Sequence, residues 1–165
     1  MKKIIFISIL VLVMTMLILT VVYYDNYKKV EPFRCIAQFE QTPLVTNKQL
    51  NKINVSFSSA ITVFFTEKNN GFLSMVGTVE VDGINYYLIR IVYLSLSPKT
   101  IRGMRKVTIL SEKTLPIDNT PKDIWEKKIT PQVVGEDFFL DIKRINKNTL
   151  VMSSLSFPYL ICVVQ

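Results

Sequence analysis

Residues 53–66 read INVSFSSAITVFFT and alternate regularly between apolar and polar side chains. In an extended chain the apolar members share one face and the polar members share the other, with Ser59 and Phe64 as lapses. A period of two predicts a β-strand with one buried face. The apolar face consists of Ile53, Val55, Phe57, Ile61, Val63 and Phe65.

The chain on the C-terminal side of this segment predicts further strands. Residues 68–71 form a turn signal, and the alternation resumes until Asp82-Gly83, a dipeptide that favours the positive φ angles of a hairpin. Residues 84–96 are the predicted return strand. Later strands are predicted at 107–110, 138–145, 149–152 and 158–164.

Short helix signals interrupt these strands. Thr120 is predicted to cap a helix that has Pro121 at its first position and runs to about Lys128. The Asp123 side chain is predicted to reach back towards the cap. A weaker helix signal covers residues 46–49. The sequence therefore predicts a mainly β domain, with seven or eight antiparallel strands and one or two short helices in a small sandwich or barrel.

Residues 4–24 form an uncharged apolar run that follows Lys2 and Lys3. The run is long enough for a transmembrane helix and longer than the apolar part of most signal peptides, and no small-x-small cleavage site ends it. We expect a cytoplasmic tail at 1–3, a transmembrane helix at 4–24, a linker at 25–32 and a periplasmic domain at 33–165. A cleaved signal peptide is the alternative, and the lysines on the two sides are too evenly balanced to fix orientation alone.

The two cysteines, Cys35 and Cys162, stand near opposite ends of the predicted domain. They become neighbours if its first and last strands pair, and an oxidising compartment then permits a disulfide. This pairing is our prediction, and two unrelated buried thiols are the alternative. A disulfide supports placing the domain outside the cytoplasm.

Composition argues against an enzyme. Histidine is absent, which excludes Ser-His-Asp and Cys-His pairs, and none of the five glycines stands in a phosphate-binding pattern. The acidic pairs Glu136-Asp137 and Glu80/Asp82 fit solvated charges better than a general acid and base. We therefore expect no catalysis, no metal and no cofactor.

The net charge of +7 does not indicate a nucleic-acid partner. Four lysines flank the apolar run, and the remaining charges are interspersed rather than gathered into a basic stripe. The nearest basic cluster, Arg102, Arg105 and Lys106, is interpreted as a solvated loop.

The strand at 84–96 is apolar on both faces, and only Arg90 interrupts it. It is either a central strand covered on both sides, or one face lines a ligand cavity or contacts a partner. The candidate partner or ligand surface has two faces: Tyr86, Leu88, Val92 and Leu94 on one, and Tyr87, Ile89, Ile91 and Tyr93 on the other.

Several short phrases together resemble the FidL-like family of small inner-membrane proteins of Gram-negative bacteria. They are the lysine-led anchor, Phe33-Arg34-Cys35, the segments at 77–79 and 86–88, and the closing residues 158–162. The resemblance implies a single-pass inner-membrane protein related to the ToxS-type companions of ToxR-like membrane-anchored transcriptional regulators.

The resemblance implies that the protein functions in a hetero-oligomer with such a regulator. The periplasmic domain would bind and stabilise the regulator's periplasmic domain and help complete a lipocalin-like barrel, a shared site for an amphipathic, bile-type molecule. An autonomous periplasmic ligand-binding or inhibitor module anchored to the inner membrane is the alternative. An envelope enzyme is the least favoured hypothesis.

Overall fold

The computed structural model describes residues 2–28, 31–41, 54–99, 103–130, 133–154 and 158–165. The chain begins with helix α1, Lys2–Lys28, and continues into a β-domain. The weak helix signal at 46–49, the start of the strand at Ile53, and Arg102 lie outside the described residues.

Helix α1 exposes apolar side chains all round. From Ile5 to Tyr23 every residue is exposed, and no part of this 19-residue stretch is buried against the protein. At 1.5 Å per residue it is about 28 Å long, close to the thickness of a bilayer's hydrocarbon core. By length and composition it is a helix that can cross a membrane.

The β-domain is a closed barrel in which each strand is antiparallel to the next and the last pairs with the first. This confirms the mainly β prediction and selects the barrel over the sandwich. Its strands are β1 Phe33–Gln41, β2 Val55–Phe65, β3 Asn70–Val81, β4 Ile84–Lys99, β5 Arg105–Thr114, β6 Asp137–Asn146, β7 Thr149–Ser153 and β8 Pro158–Val164.

The period-two pattern places the core inside the barrel. The apolar residues of β2 that the sequence assigns to the buried face do point inward, and Val63 and Phe65 are almost completely buried. Phe33 packs against Phe65 with ring centroids 5.5 Å apart. Burial of such side chains contributes roughly 1.5–3 kcal/mol each, which is the main stabilisation of the barrel.

Turn chemistry and close packing fix the β2–β3–β4 meander. Asp82 and Gly83 adopt the predicted positive φ angles, 48° and 85°. Gly77 lies opposite Ser59 in the β2–β3 ladder, where an added Cβ would come within 2.6 Å of the Ser59 Cα. Only glycine allows the two strands to approach this closely.

The predicted short helix exists, but its capping differs from the prediction. Helix α2, Lys122–Ile124, continues as a π-helical turn, Trp125–Ile129, and its N-cap is Pro121, without a side-chain cap. The Thr120 hydroxyl instead donates to the carbonyl oxygen of Tyr87 at 2.9 Å. The Tyr87 carbonyl, which also accepts from the Asn119 N–H, thus takes the hydroxyl that the prediction assigned to the cap.

Two residues of the basic cluster, Arg105 and Lys106, lie in strand β5 and not in the solvated loop that the sequence suggested. Arg105 is the first residue of β5, only 6% exposed, and donates to the Ser97 carbonyl. Lys106 lies on the outer surface and pairs with Asp137 at 3.0 Å. Alternation along a strand separates these two cations onto opposite faces of the barrel wall.

Candidate functional site

The interior of the barrel contains an apolar cavity of about 300 Å³, at the lower end of the range for small-molecule sites. All eight strands contribute to it, because each directs alternate side chains inward. Ile129 and Thr130 add to the lining from the segment after β5. The strand residues that line it are Phe39, Phe57, Ile61, Val63, Phe65, Leu73, Met75, Val92, Leu94, Val107, Ile109, Phe138, Leu140, Met152, Tyr159 and Leu160.

The segment between β5 and β6 includes a strap, residues 115–130, that runs back along β4. The backbone N–H of Leu115 donates to the Ile89 carbonyl at 3.1 Å, and that of Asn119 donates to the Tyr87 carbonyl at 3.1 Å. The Asn119 side chain accepts from the Tyr87 N–H at 2.6 Å. The strap therefore replaces β5 as the neighbour of the first half of β4 and carries Thr130 to the cavity.

A buried ion pair fastens the strap to the barrel wall. The Arg90 Nε donates to Asp118 Oδ2 at 3.0 Å, with side-chain exposures of 7% and 0%. A second Arg90 donor, Nη2, reaches Asp118 Oδ1 at 3.2 Å and the Thr120 carbonyl at 2.9 Å. The guanidinium also lies 4.7 Å from the ring centroid of Trp125, within the range of a cation–π contact.

The surroundings of Asp118 hold its carboxyl ionised. Burial is the largest single influence and by itself raises the pKa, because it disfavours the charged form. The hydrogen bonds from Arg90 and from the N–H groups of Ile89 and Thr120, together with the Arg90 charge, outweigh burial and leave the pKa below its usual 3.8. The pair is thus ionised at neutral pH.

Trp125 packs against this ion pair in the protein core. Its ring is 1% exposed, and its Nε1 donates to Glu112 Oε2 of β5 at 3.0 Å. The π-helical turn that begins at Trp125 ends at Ile129, and Thr130 follows directly. The contacts of Arg90 and Trp125 consequently determine where the last two residues of the strap enter the cavity.

Two buried hydroxyls have no hydrogen-bond partner among the described residues, and they differ in position. Thr130 Oγ1 belongs to a residue that lines the cavity, whereas Ser59 Oγ lies in the barrel wall beside Gly77. Buried polar atoms normally find a partner, so each is an exception that needs an explanation.

The first and last strands meet at a short seam. Among the described residues only Cys35/Val164 and Ile36/Val163 are paired between β1 and β8. The predicted disulfide is present here: Cys35 and Cys162 are bonded, their Cα atoms lie 5.5 Å apart, and both are buried. The covalent bond therefore reinforces the part of the wall with the fewest ladder hydrogen bonds.

The structure separates the eight candidate surface residues of β4 into two sets. The inner set is Tyr86, Leu88, Val92 and Leu94, of which Leu88 is fully buried and Val92 and Leu94 line the cavity. The outer set is Tyr87, Ile89, Ile91 and Tyr93. Tyr87 is 59% exposed and Tyr93 is 39% exposed, while the two isoleucines are half-buried.

Neighbouring strands enlarge the outer set into an outer face. Register pairs Val76 with Ile89, and Phe72 with Tyr93, across the β3–β4 ladder. Phe64 of β2 packs against Phe72 with ring centroids 5.5 Å apart. We call Phe72, Val76, Tyr87, Ile89, Ile91 and Tyr93 the outer face.

The sequence reasoning missed Asp118, Trp125 and Thr130. One clue was available for the first, because Arg90 on an otherwise apolar strand needs a buried acid. The predicted Asp82-Gly83 turn fixes the register that places Phe72 and Val76 beside β4, so these two neighbours could have been found from the sequence. No pattern distinguishes Thr130 from an ordinary loop threonine.

The described residues contain no group of three His, Cys, Asp or Glu side chains that could hold a metal ion. What they define is a barrel with an apolar cavity, attached to a helix that can cross a membrane. In class, the chain is an antiparallel β-barrel protein with one N-terminal helix that can cross a membrane.

The chain belongs to the FidL-like family. Residues 77–162 match the family described as "FidL-like putative membrane protein", a span that runs from the middle of β3 to Cys162 and includes the strap. No curated protein and no solved structure matches the chain.

Proposed function

We propose that this chain is a non-catalytic, single-pass inner-membrane protein whose barrel binds and stabilises the periplasmic domain of a ToxR-like regulator. In this proposal helix α1 is an uncleaved anchor and the barrel lies in the periplasm. The cavity is the site at which an amphipathic small molecule, such as a bile-type molecule, is sensed.

The observation that carries this proposal is the outer face. The barrel has its own core, so the apolar residues of the outer face are not needed to fill it. Tyr87 and Tyr93 expose large rings next to half-buried isoleucines, and tyrosine is enriched at the centres of protein interfaces. Burial of this face by a partner domain would remove apolar surface from water.

The disulfide supports a periplasmic location. Such bonds persist in oxidising compartments and are rare in the cytosol. With the barrel in the periplasm, α1 would place residues 1–3 in the cytoplasm.

Co-purification tests the proposal. The tagged full chain, taken from membranes with a mild detergent, should retain a single-span protein with an N-terminal winged helix. Tyr87→Glu combined with Tyr93→Glu should abolish retention while the barrel keeps its thermal unfolding temperature, because both side chains point outward.

A matched control uses the opposite wall. Ile161 and Val163 of β8 are 62% and 59% exposed, and Ile161→Glu with Val163→Glu should leave retention unchanged. If the β8 pair abolishes retention and the tyrosine pair does not, the outer face is not the interface. If the unaltered chain retains no regulator, the proposed binding of a regulator is refuted.

The cavity favours a second candidate, an autonomous ligand-binding module anchored to the same membrane. The barrel closes within one chain, so ligand binding requires no partner to complete the wall. Ligand binding by the full chain in nanodiscs without any regulator, together with failure of the co-purification, would select this alternative.

A further inference from the structure

We propose that the cavity takes a single-chain amphiphile whose hydrocarbon chain fills the barrel and whose uncharged polar group hydrogen-bonds to the Thr130 hydroxyl. Fatty alcohols and acyl esters have this chemistry. The inference rests on the ligand-binding part of the proposed function, and within amphipathic molecules it favours a single hydrocarbon chain over the bile-type example given there.

The lining excludes charge from the inserted part of the ligand. None of the residues that line the cavity is ionisable near neutral pH, and all except Thr130 and Tyr159 are apolar. A carboxylate or ammonium held there would be buried without a counter-charge, which is strongly unfavourable.

Neither of the two buried arginines in the described part of the chain lines the cavity, and Arg105 already donates to a strand carbonyl. Arg90 already donates to both oxygens of Asp118 and to the Thr120 carbonyl, and Trp125 covers its guanidinium. A ligand carboxylate could reach Arg90 only by displacing these contacts. The electrostatics of the cavity therefore select a neutral guest.

Thr130 provides one polar anchor. Its Oγ1 is buried and has no partner among the described residues, so a ligand oxygen that accepts its proton would relieve an unsatisfied donor. The Thr130 N–H is already used, since it donates to the Trp125 carbonyl at 2.8 Å. This backbone bond holds the residue at the end of the π-helical turn.

A cavity with a single polar anchor favours a ligand with a single polar group. A fused-ring molecule with several hydroxyls would bury groups that the apolar wall cannot satisfy, at a cost in affinity. A flexible chain with a single terminal oxygen leaves fewer polar groups unsatisfied. Tyr159 of β8 is the second residue of the lining that carries a hydroxyl, and it is half-exposed.

Photolabelling of the full chain in nanodiscs tests this assignment. The probe is dodecanol with a diazirine at the end of its chain, and labelled peptides are identified by mass spectrometry. We expect labels on cavity-lining residues such as Val107 and Leu140. Unlabelled dodecanol should compete efficiently, dodecanoate at neutral pH less well, and cholate least.

Substitutions at the two unpartnered hydroxyls make the anchor testable. Thr130→Val removes the hydroxyl at nearly constant volume and should weaken dodecanol competition about 3- to 10-fold, the size of one hydrogen bond. Thr130→Ser should retain the affinity. Ser59→Ala is the matched control, because its hydroxyl is buried and unpartnered but outside the cavity lining, and it should leave competition unchanged.

The outcomes separate this inference from the proposed function. If dodecanol competes equally well in Thr130→Val and in the unaltered chain, and thermal unfolding shows that both proteins are folded, the assigned role of the Thr130 hydroxyl is overturned. Cholate outcompeting dodecanol overturns the ligand class while leaving a bile-type signal in place. Absence of cavity labels overturns the inference, and regulator binding is then decided by co-purification alone.

Discussion

At the scale of single residues, the Arg90–Asp118 pair is the feature with the largest expected effect on stability. Both side chains are almost fully buried, and each satisfies the other. A buried pair of this kind is costly to break, because removal of one partner leaves the other charge without compensation. It also joins the strap to β4, so its integrity affects the position of Thr130.

Asp118→Asn should lower the free energy of unfolding by about 3–5 kcal/mol, since Arg90 would remain charged and buried without its carboxylate. Chemical denaturation of the full chain measures this. Asp137→Asn is the control, because the Lys106–Asp137 pair is half-exposed and should contribute little. Equal effects of the two substitutions would contradict the assigned role of Asp118.

Acid should weaken the barrel through the same carboxyl. A pKa that is lower in the folded chain means that the stabilisation is complete above the unfolded value and is lost as the pH falls through the folded one. Unfolding free energy should therefore decline below about pH 4. The Asp118→Asn variant should show a shallower decline over that range, and an equally steep one would count against Asp118 as its source.

At the scale of elements, the β1–β8 seam depends on covalent support. Among the described residues, two ladder pairs and a hydrogen bond from the Gln165 N–H to the Arg34 carbonyl hold it. The Cys35–Cys162 bond closes a loop with a sequence separation of 127 residues. The seam is where the barrel should open first when the bond is absent.

Replacing both cysteines by alanine should lower the free energy of unfolding by about 4–5 kcal/mol, the chain-entropy expectation for a loop of this order. Hydrogen exchange should accelerate first in β1 and β8. A reductant should destabilise the unaltered chain and leave the double variant unaffected. A reductant effect on the double variant would show that the destabilisation has another source.

Local sequence patterns predicted the strands and the turn, whereas contacts between residues far apart in the sequence were harder to predict. The alternation in 53–66 predicted β2, and the Asp82-Gly83 dipeptide predicted the β3–β4 hairpin, because strands and turns depend on neighbours in sequence. The terminal cysteines predicted the disulfide, which depends on the compartment as well. The Arg90–Asp118 contact joins residues 28 positions apart and has no local signature. The cavity arises only once eight strands close, so the sequence predicted an apolar surface on β4 without revealing that one face lies inside.

At the scale of the whole molecule, a helix that can cross a membrane is joined to a barrel with an apolar cavity. Helix α1 exposes an apolar surface from Ile5 to Tyr23, and the barrel has its own core. In the proposed function, anchoring would keep the cavity close to the lipid phase in which an amphiphile partitions.

The chain should stay in the inner membrane at full length, because its apolar segment has bilayer-spanning length and no small-x-small cleavage site. Cell fractionation with a C-terminal tag checks this. A soluble periplasmic product that begins near residue 25 would show instead that α1 is a removed signal sequence.

The central claim is that the barrel interior is a ligand site, and mass spectrometry of molecules extracted with the purified full chain tests it most directly. Val107 is fully buried and lines the cavity, so Val107→Phe fills space that a ligand would occupy, whereas Val163→Phe adds the same volume on the outer surface. We predict that an amphiphile is enriched with the unaltered chain and with Val163→Phe, and is lost with Val107→Phe, while all three remain folded. Equal enrichment of the same molecules in all three preparations would contradict the claim.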